Sequence, residues 1–232
     1  MATPKSSTRS PRIGWLGAGR MGFDMAKRLA QSGCDVSVWN RTRSKAEPLK
    51  AYGAKVVDQA SELGGCDIVF SMLATYDDVS NVILGKDGLV SGISGAKRPR
   101  FLVECTSISA EGSGELRGGL GKHGIEMLAA PVSGNAKVVK AGKLSFVVSG
   151  PKAAYDEAAP YLNMMGQEAT YVGEGDVARF VKICHNVFLG VVIQSLCEIT
   201  ILAQKAGVPR HAFLDFLNKR SEEHTSELQS QR

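Results

Sequence analysis

The stretch that decides the fold is RIGWLGAGRMGFDMAKRLAQSG, residues Arg12–Gly33. RIGWLG is a short apolar run that predicts a buried strand, and MGFDMAKRLAQSG has the apolar spacing of an amphipathic helix that ends at Gly33. Between them, Gly17, Gly19 and Gly22 have the spacing G-x-G-x-x-G. In a strand–turn–helix context this spacing predicts a loop that binds the pyrophosphate of a dinucleotide. We expect the loop to consist of Gly17, Ala18, Gly19, Arg20, Met21 and Gly22.

Each glycine of this loop has its own expected role. Gly17 forms the tight turn, Gly19 lets the backbone approach the pyrophosphate, and Gly22 allows close packing of the helix on the strand. The amino end of the helix then faces the phosphates, since its free N–H groups favour anions. The alternative is a glycine turn with a purely structural role.

Strands and helices alternate from Arg12 to Gly173, which predicts an α/β fold. Such alternation is typical of a Rossmann-type doubly wound parallel sheet, and we assign residues 12–173 to an NADP-binding domain of this kind. From Asp176 to Ala206 the sequence carries no helix breaker except Gly190, which predicts one long buried helix. Residues 174–219 are therefore expected to be the start of an all-α domain.

The two ends of the chain differ from the rest. Residues 1–11 are polar and basic, and we expect a disordered tail, with an organelle transit peptide as the alternative. Residues 220–232 (RSEEHTSELQSQR) are polar without a helical stripe and resemble a translated sequencing adapter. We expect the native sequence to differ from the given one after about Lys219 and to continue with further helices of the all-α domain. A natural polar tail is the alternative.

The composition narrows the classes of partner. The net charge is +5, but the basic residues are scattered and no nucleic-acid-binding motif is present, so we expect no nucleic acid. The longest apolar run, Val187–Ile193, is far shorter than a membrane span, so we expect no membrane. The five cysteines are odd in number and form no C-x-x-C pair, which favours a reducing compartment such as the cytoplasm. No metal ligand set is predicted.

The residues after the second strand bear on the choice of cofactor. Asn40 lies 18 residues after Gly22, near the position where an NAD-binding fold usually carries an acidic residue for the ribose 2′-hydroxyl. Here Asn40, Arg41 and Thr42 provide no carboxylate, and further basic residues follow. A guanidinium suits a 2′-phosphate, so we predict NADP(H) rather than NAD(H). The alternative is a solvated basic loop.

Four segments together resemble the β-hydroxyacid dehydrogenase family. GWLGAGRMG with WNRT, ECTSIS, APVSGNAKVVKAGKLSFVVSG and GEGDVARFVKICHN occur in the family's order, over about Arg12 to Asn218. The resemblance is strongest to the 3-hydroxyisobutyrate dehydrogenase and glyoxylate/succinic semialdehyde reductase branches. It implies an oxidoreductase that acts on CH–OH groups and interconverts a small β-hydroxyacid, or 2-hydroxyacid, with its semialdehyde or oxo acid by hydride transfer. It also implies a homodimer or tetramer for the full-length protein.

The resemblance assigns roles to individual residues. Lys182 matches the catalytic lysine, and Asn186 matches a substrate-binding asparagine. The residues that match the loop holding a substrate carboxylate are Ser133, Gly134 and Asn135. Leu73, Ala74 and Ser107 match positions that contact the cofactor.

The chain also departs from the family pattern. Ser107 follows Thr106, so the hydroxyls of the usual acid-x-Ser-Thr motif are exchanged, and Asn135 replaces a second glycine. His185 stands where many members have asparagine. The resulting pattern K-x-x-H-N resembles that of 6-phosphogluconate dehydrogenases. We assign His185 to substrate binding; a core histidine bonded to a carbonyl is the alternative.

Lys182 and Asn186 are four residues apart and share a helical face, with His185 beside them. A lysine in such apolar surroundings fits a general acid or base for the reacting oxygen, and a snorkelling lysine is the alternative. Two other functions stay open: an oxidative decarboxylase of the 6-phosphogluconate type, and a non-catalytic NADPH-binding module. If the helical domain is incomplete, we expect this chain to lack activity.

Overall fold

A computed structural model describes residues 10–95 and 97–219 of the chain. Most of the predicted N-terminal tail (residues 1–9) and the whole adapter-like stretch (residues 220–232) lie outside these described residues. The chain divides into two units, and the division falls between Lys182 and Ile183, inside a helix.

The first unit contains one sheet with the strands β1 (Arg12–Leu16), β2 (Asp35–Trp39), β3 (Lys55–Val56), β4 (Ile68–Ser71), β5 (Phe101–Glu104), β6 (Glu126–Ala129), β7 (Val132–Ser133), β8 (Ser145–Ser149) and β9 (Glu168–Gly173). The strand order is β3-β2-β1-β4-β5-β6-β8-β7, with β9 paired to β8. The part β3-β2-β1-β4-β5-β6 is parallel and has the order of dinucleotide-binding folds. The predicted Rossmann-type sheet is thereby confirmed.

One part of the sheet differs from the predicted parallel pattern. β8 is antiparallel to both β6 and β7. β9 then pairs with β8 in parallel and leads towards the last helix of the unit.

The helices are α1 (Gly22–Gln31), α2 (Tyr76–Leu84), α3 (Ala110–Gly121), α4 (Ala136–Lys140), α5 (Lys152–Met165) and α6 (Val177–Lys205). Two further helical stretches are 3₁₀ rather than α-helical, at Glu47–Tyr52 and Ala60–Gly65. Pro48 stands at the start of the first of them. The first segment joins the neighbouring strands β2 and β3. The second lies on the connection from β3 to β4, which are separated in the sheet by β2 and β1.

Side chains alternate between the two faces of the sheet, and each face has its own core. Trp15 and Phe70 point into one buried cluster, and their rings stack with centroids 5.8 Å apart. Leu16 and Val69, the neighbouring positions along the same strands, belong to the second cluster. The sheet is therefore covered on both faces, as expected for parallel strands that are apolar throughout.

The second unit contains the rest of α6 and a helix over residues 210–219. The prediction that α6 is buried is wrong for the part of the chain that the structure describes. Its large apolar side chains are exposed, for example Phe188 (63%), Ile193 (61%) and Leu202 (68%). The apolar sequence correctly indicates a helix, but among residues 10–95 and 97–219 no element covers these side chains.

Helix α6 is also long and apolar enough to cross a membrane, by length and composition alone, with a mean hydropathy of 1.8 over its most apolar window. Counting uninterrupted apolar residues missed this property. Isolated polar residues such as Asn186 and Gln194 end a run without lowering the mean hydropathy much. The absence of a membrane therefore stays a prediction.

Candidate active site

A cleft of about 400 Å³ opens where β1 and β4 end. These neighbouring strands mark the point at which the strand order reverses, which is where ligands bind in open α/β sheets. The residues that line the cleft are Gly17, Gly19, Arg20, Met21, Gly22, Trp39, Asn40, Arg41, Thr42, Lys45, Met72, Leu73, Ala74, Asp78 and Val82. The structure thus brings together most of the residues that the sequence predicts for cofactor binding.

The three loop glycines differ in what surrounds them. A Cβ atom on Gly17 would lie 2.3 Å from the carbonyl oxygen of Met72, and the φ angle of Gly17 is +102°. A Cβ atom on Gly22 would lie 2.1 Å from the carbonyl oxygen of Gly17. At Gly19 a Cβ atom would meet no protein atom within 4 Å. Gly17 and Gly22 are therefore needed for packing, whereas Gly19 leaves open space in the cleft.

This open space fits the pyrophosphate of a dinucleotide. Gly19 is exposed in the cleft at the amino end of α1, where backbone N–H groups and the helix dipole favour a phosphate. Ala18 is the one predicted loop residue outside the lining. It is buried, and its backbone N–H donates to Asn40 Oδ1 at 2.8 Å, so it joins the glycine loop to the end of β2.

Arg41 lies at the rim of the cleft. Its Nη1 donates to Asp78 Oδ1 at 2.9 Å, and its side chain is 81% exposed. Asn40 is half-buried, and its Nδ2 donates to the carbonyl oxygen of Thr42 at 2.8 Å, which fixes this turn. Asp78 and Lys45 were not among the predicted site residues, although Lys45 belongs to the basic stretch that the sequence shows.

Thr106, rather than Ser107, contacts the loop that follows β4. The backbone N–H of Leu73 donates to Thr106 Oγ1 at 2.9 Å, and Thr106 is buried. Ser107 is exposed and does not line the cleft, so its role in cofactor binding stays a prediction. The exchanged order of the two hydroxyls in ECTS was the signal that pointed to this difference.

Lys182 and Ser133 are brought together although they are far apart in sequence. Nζ of Lys182 donates to Ser133 Oγ at 2.9 Å, and both side chains are half-buried. Burial lowers the pKa of Lys182 from its usual value of 10.5, which makes the amine a better proton donor near neutral pH.

The loop after Ser133 is shaped by the next two residues. Gly134 has a φ angle of +141°, and a Cβ atom there would lie 2.8 Å from Val138 Cγ1. Asn135 Oδ1 accepts hydrogen bonds from the backbone N–H groups of Lys137 and Val138, so its side chain caps α4. Asn186 and His185, by contrast, lie in the second unit and are exposed on α6.

A buried polar network that sequence reasoning missed surrounds the start of α6. Asp176 accepts hydrogen bonds from Ser113 (2.6 Å) and Arg117 (2.9 Å), and Ser113 Oγ also accepts one from Arg179 Nε (2.7 Å). Burial alone would raise the pKa of Asp176, but the hydrogen bonds from Arg117 and Ser113 and the nearby arginine charges lower it. The network joins α3 to the first turn of α6.

Replacing Asp176 by Asn is expected to destabilise the fold by about 2 kcal/mol at neutral pH, since a hydrogen-bonded charge is lost. The folded-state pKa is below the unfolded value of 3.8, so ionised Asp176 stabilises the fold above that pH. This contribution is lost as the pH falls through the folded-state pKa. Urea unfolding of both proteins across acidic pH would therefore show the difference shrinking, whereas the exposed control Asp156→Asn should stay within about 0.5 kcal/mol throughout.

Comparison with known proteins identifies the family. Residues 12–173 match the family described as the NAD-binding domain of 6-phosphogluconate dehydrogenase. The chain belongs to this family. The predicted resemblance to β-hydroxyacid dehydrogenases is confirmed, because proteins similar to this chain are named 3-hydroxyisobutyrate dehydrogenase and glyoxylate/succinic semialdehyde reductase.

Three relatives of this NAD-binding family illustrate the match. Glyoxylate/succinic semialdehyde reductase 2, chloroplastic, of Arabidopsis thaliana is 36% identical over 208 residues, which is 89% of this chain and 57% of that protein. The structure of 3-hydroxyisobutyrate dehydrogenase from Mycobacterium tuberculosis with L-serine has a TM-score of 0.81 and 26% identity, and the match covers 91% of this chain and 71% of that one. The structure of Psf3 in complex with NADP⁺ and 2-OPP has a TM-score of 0.74 and 28% identity, covering 88% and 71%.

Proposed function

We propose that the protein is an NADP(H)-dependent oxidoreductase that interconverts a small hydroxyacid and its semialdehyde or oxo acid. The observation that carries this proposal is the 2.9 Å hydrogen bond between Lys182 and Ser133, in a chain that also contains a dinucleotide cleft. The names of the relatives support the reaction class. The chain spans 57% of the Arabidopsis reductase, so the activity is proposed for the whole protein.

Lys182 is the proposed general acid and base. When bound, the nicotinamide supplies the hydride for carbonyl reduction. Lys182 donates a proton from Nζ to the carbonyl oxygen as negative charge develops there, and it accepts the proton back in the oxidative direction. The lowered pKa of Lys182 brings this exchange closer to neutral pH, where it is most efficient.

The loop Ser133–Gly134–Asn135 is the proposed site for the substrate carboxylate. Ser133 Oγ is already within hydrogen-bonding distance of Lys182, so a group held there lies beside the proton donor. The side-chain oxygen of Asn135 caps α4, which leaves its amide nitrogen for a carboxylate oxygen. Asn186 and His185 are proposed as further substrate contacts from the family resemblance. The assignments of residues 12–173 to cofactor binding and of residues 174–219 to a helical substrate domain are part of this proposal.

Arg41 is proposed to select NADPH over NADH. Its guanidinium lies at the cleft rim with only one nitrogen bonded to Asp78, so further N–H groups can reach a 2′-phosphate. No side chain between Trp39 and Arg43 carries a carboxylate that could accept a hydrogen bond from the 2′-hydroxyl of NADH. The NADP⁺ bound to Psf3 supports this choice.

Replacing Arg41 by Asp is expected to weaken NADPH binding about 10- to 100-fold, since one to two charge-assisted hydrogen bonds are lost. NADH affinity should stay the same or increase, because the new carboxylate can accept a hydrogen bond from the ribose 2′-hydroxyl. Titration of both cofactors followed by NAD(P)H fluorescence gives the ratio of Kd values.

The matched control is Arg43→Gln, an arginine two residues away that pairs with Glu47 outside the cleft lining. It should leave the ratio unchanged. Equal binding of NADPH and NADH by the wild-type protein would contradict the proposed preference.

The proposed reaction is tested on the full-length protein, by following NADPH consumption with a panel of small aldehyde acids, among them glyoxylate and succinic semialdehyde. Turnover with any of them supports the proposal. Release of CO₂ from 6-phosphogluconate would favour the oxidative decarboxylase, which His185-Asn186 suggests. NADPH binding without turnover of either class would favour a non-catalytic binding module.

A further inference from the structure

Arg179 is almost completely removed from water although it carries a charge. It is 2% exposed and lies on α6, three residues before Lys182. Its Nε donates to Ser113 Oγ at 2.7 Å, and its Nη1 donates to the carbonyl oxygen of Thr106 at 2.8 Å. Among the described residues Nη2 has no hydrogen-bond partner. A buried guanidinium carries a large desolvation cost, so the two bonds it does make are strong constraints on its position.

The bond to Thr106 connects Arg179 to the cofactor cleft. Thr106 Oγ1 accepts from the backbone N–H of Leu73, a residue that lines the cleft. The backbone N–H of Thr106 donates to Glu104 Oε1 at 2.6 Å, and Glu104 also accepts from Ser71 Oγ. Thr106 is therefore held on three sides, and one of them is α6.

Arg179 and Lys182 share a face of α6 because they are three residues apart. A rotation or translation of the helix that moves one side chain therefore moves the other. Arg179 bonds to the end of β5 and to α3, and Lys182 bonds to Ser133 at the end of β7. The contacts of Arg179 thus fix the helix at the position where Nζ of Lys182 reaches Ser133.

We propose that Arg179 is a positioning residue that holds Lys182 against Ser133 and, through Thr106, links this placement to the cofactor-lining loop at Leu73. The proposal rests on the proposed function in one respect, the role of Lys182 as general acid and base. The placement itself is independent of turnover. Nothing in the spacing of GEGDVARFVKICHN distinguishes Arg179 from a solvated arginine; only its burial and partners do so.

The test measures the protonation of Lys182 in the folded chain. Wild-type protein and Arg179→Met are labelled briefly with acetic anhydride at a series of pH values, and the extent of modification of Lys182 is measured by mass spectrometry. Met keeps the apolar length of the side chain and removes the hydrogen bonds. We expect the labelling midpoint of Lys182 to move up towards the ordinary lysine value of 10.5, because the amine leaves its half-buried place beside Ser133. We also expect weaker NADPH binding by fluorescence titration, because the support of Leu73 through Thr106 is lost.

Two further variants keep the test decisive. Leu29→Ala opens a cavity in the core at α1 and should destabilise the fold by about 2–5 kcal/mol without changing the midpoint. Arg179→Lys keeps the charge but cannot make both bonds, and it should shift the midpoint in the same direction if Arg179→Met does not fold. An unchanged midpoint in either folded Arg179 variant, or an equal shift in Leu29→Ala, would overturn the proposal. The labelling needs no substrate, so a failure of the proposed reaction would be seen separately.

Discussion

Replacing Lys182 by Ala is expected to lower kcat by about 10²- to 10⁴-fold, the range typical for loss of a general acid or base. NADPH binding should stay within about twofold, since Lys182 is not among the residues that line the cleft. The rate should fall because, among the described residues, Lys182 is the side chain that donates to Ser133 Oγ, so its loss removes the proposed proton donor. Steady-state rates with the best substrate of the aldehyde-acid panel and NADPH titration give the two numbers.

The matched control is Lys122→Ala, an exposed lysine just after α3. It should keep the wild-type rate. A Lys182→Ala protein that retains most of its turnover would show that the lysine only fills space beside Ser133. Absence of turnover in the full-length wild-type protein would count against the proposed reaction and not against this assignment.

The second large effect is expected at the glycine loop, where substitutions two residues apart, at Gly17 and Gly19, should act on different properties. Gly17→Ala places a side chain on a residue whose φ angle is +102°, which L-residues rarely adopt. Its Cβ atom would also lie 2.3 Å from the carbonyl oxygen of Met72. We expect a loss of about 3 kcal/mol in the free energy of unfolding, from strain and overpacking together. Gly19→Ala meets no protein atom, so stability should change by less than about 1 kcal/mol.

Gly19→Ala should instead reduce NADPH affinity, because its methyl group occupies the space that fits the pyrophosphate. Urea denaturation and NADPH titration of both variants separate the two effects. If Gly19→Ala binds NADPH as tightly as the wild-type protein, the phosphates lie elsewhere.

The sequence was informative where local patterns determine the structure. The glycine spacing at Gly17–Gly22 lies between an apolar strand and an amphipathic helix, and the strand, turn and helix were predicted correctly because they follow one another directly in the chain. The positions of Leu73 and Ala74 followed from the family resemblance, and the structure places both in the cleft. The apolar composition of α6 predicted a helix correctly, but composition does not determine what packs against a helix.

The features that were missed depend on contacts between distant segments. Arg179, Ser113 and Thr106 are separated by up to 73 residues, and each is unremarkable in its local sequence. Likewise, the pairing of Arg41 with Asp78 joins the end of β2 to the first turn of α2. No periodicity or spacing rule brings such residues together. They become visible only once the strand order is known.

The exposed apolar side chains of α6 have a consequence for the thermodynamics of unfolding. The heat-capacity change and the denaturant dependence of unfolding both scale with the apolar surface that unfolding newly exposes. Side chains such as Phe188 and Leu202 already contact water in the folded chain, so melting their part of α6 adds little to either quantity. We therefore expect the heat-capacity change of unfolding to come mainly from the sheet unit, and its value per described residue to fall below that of an average globular domain.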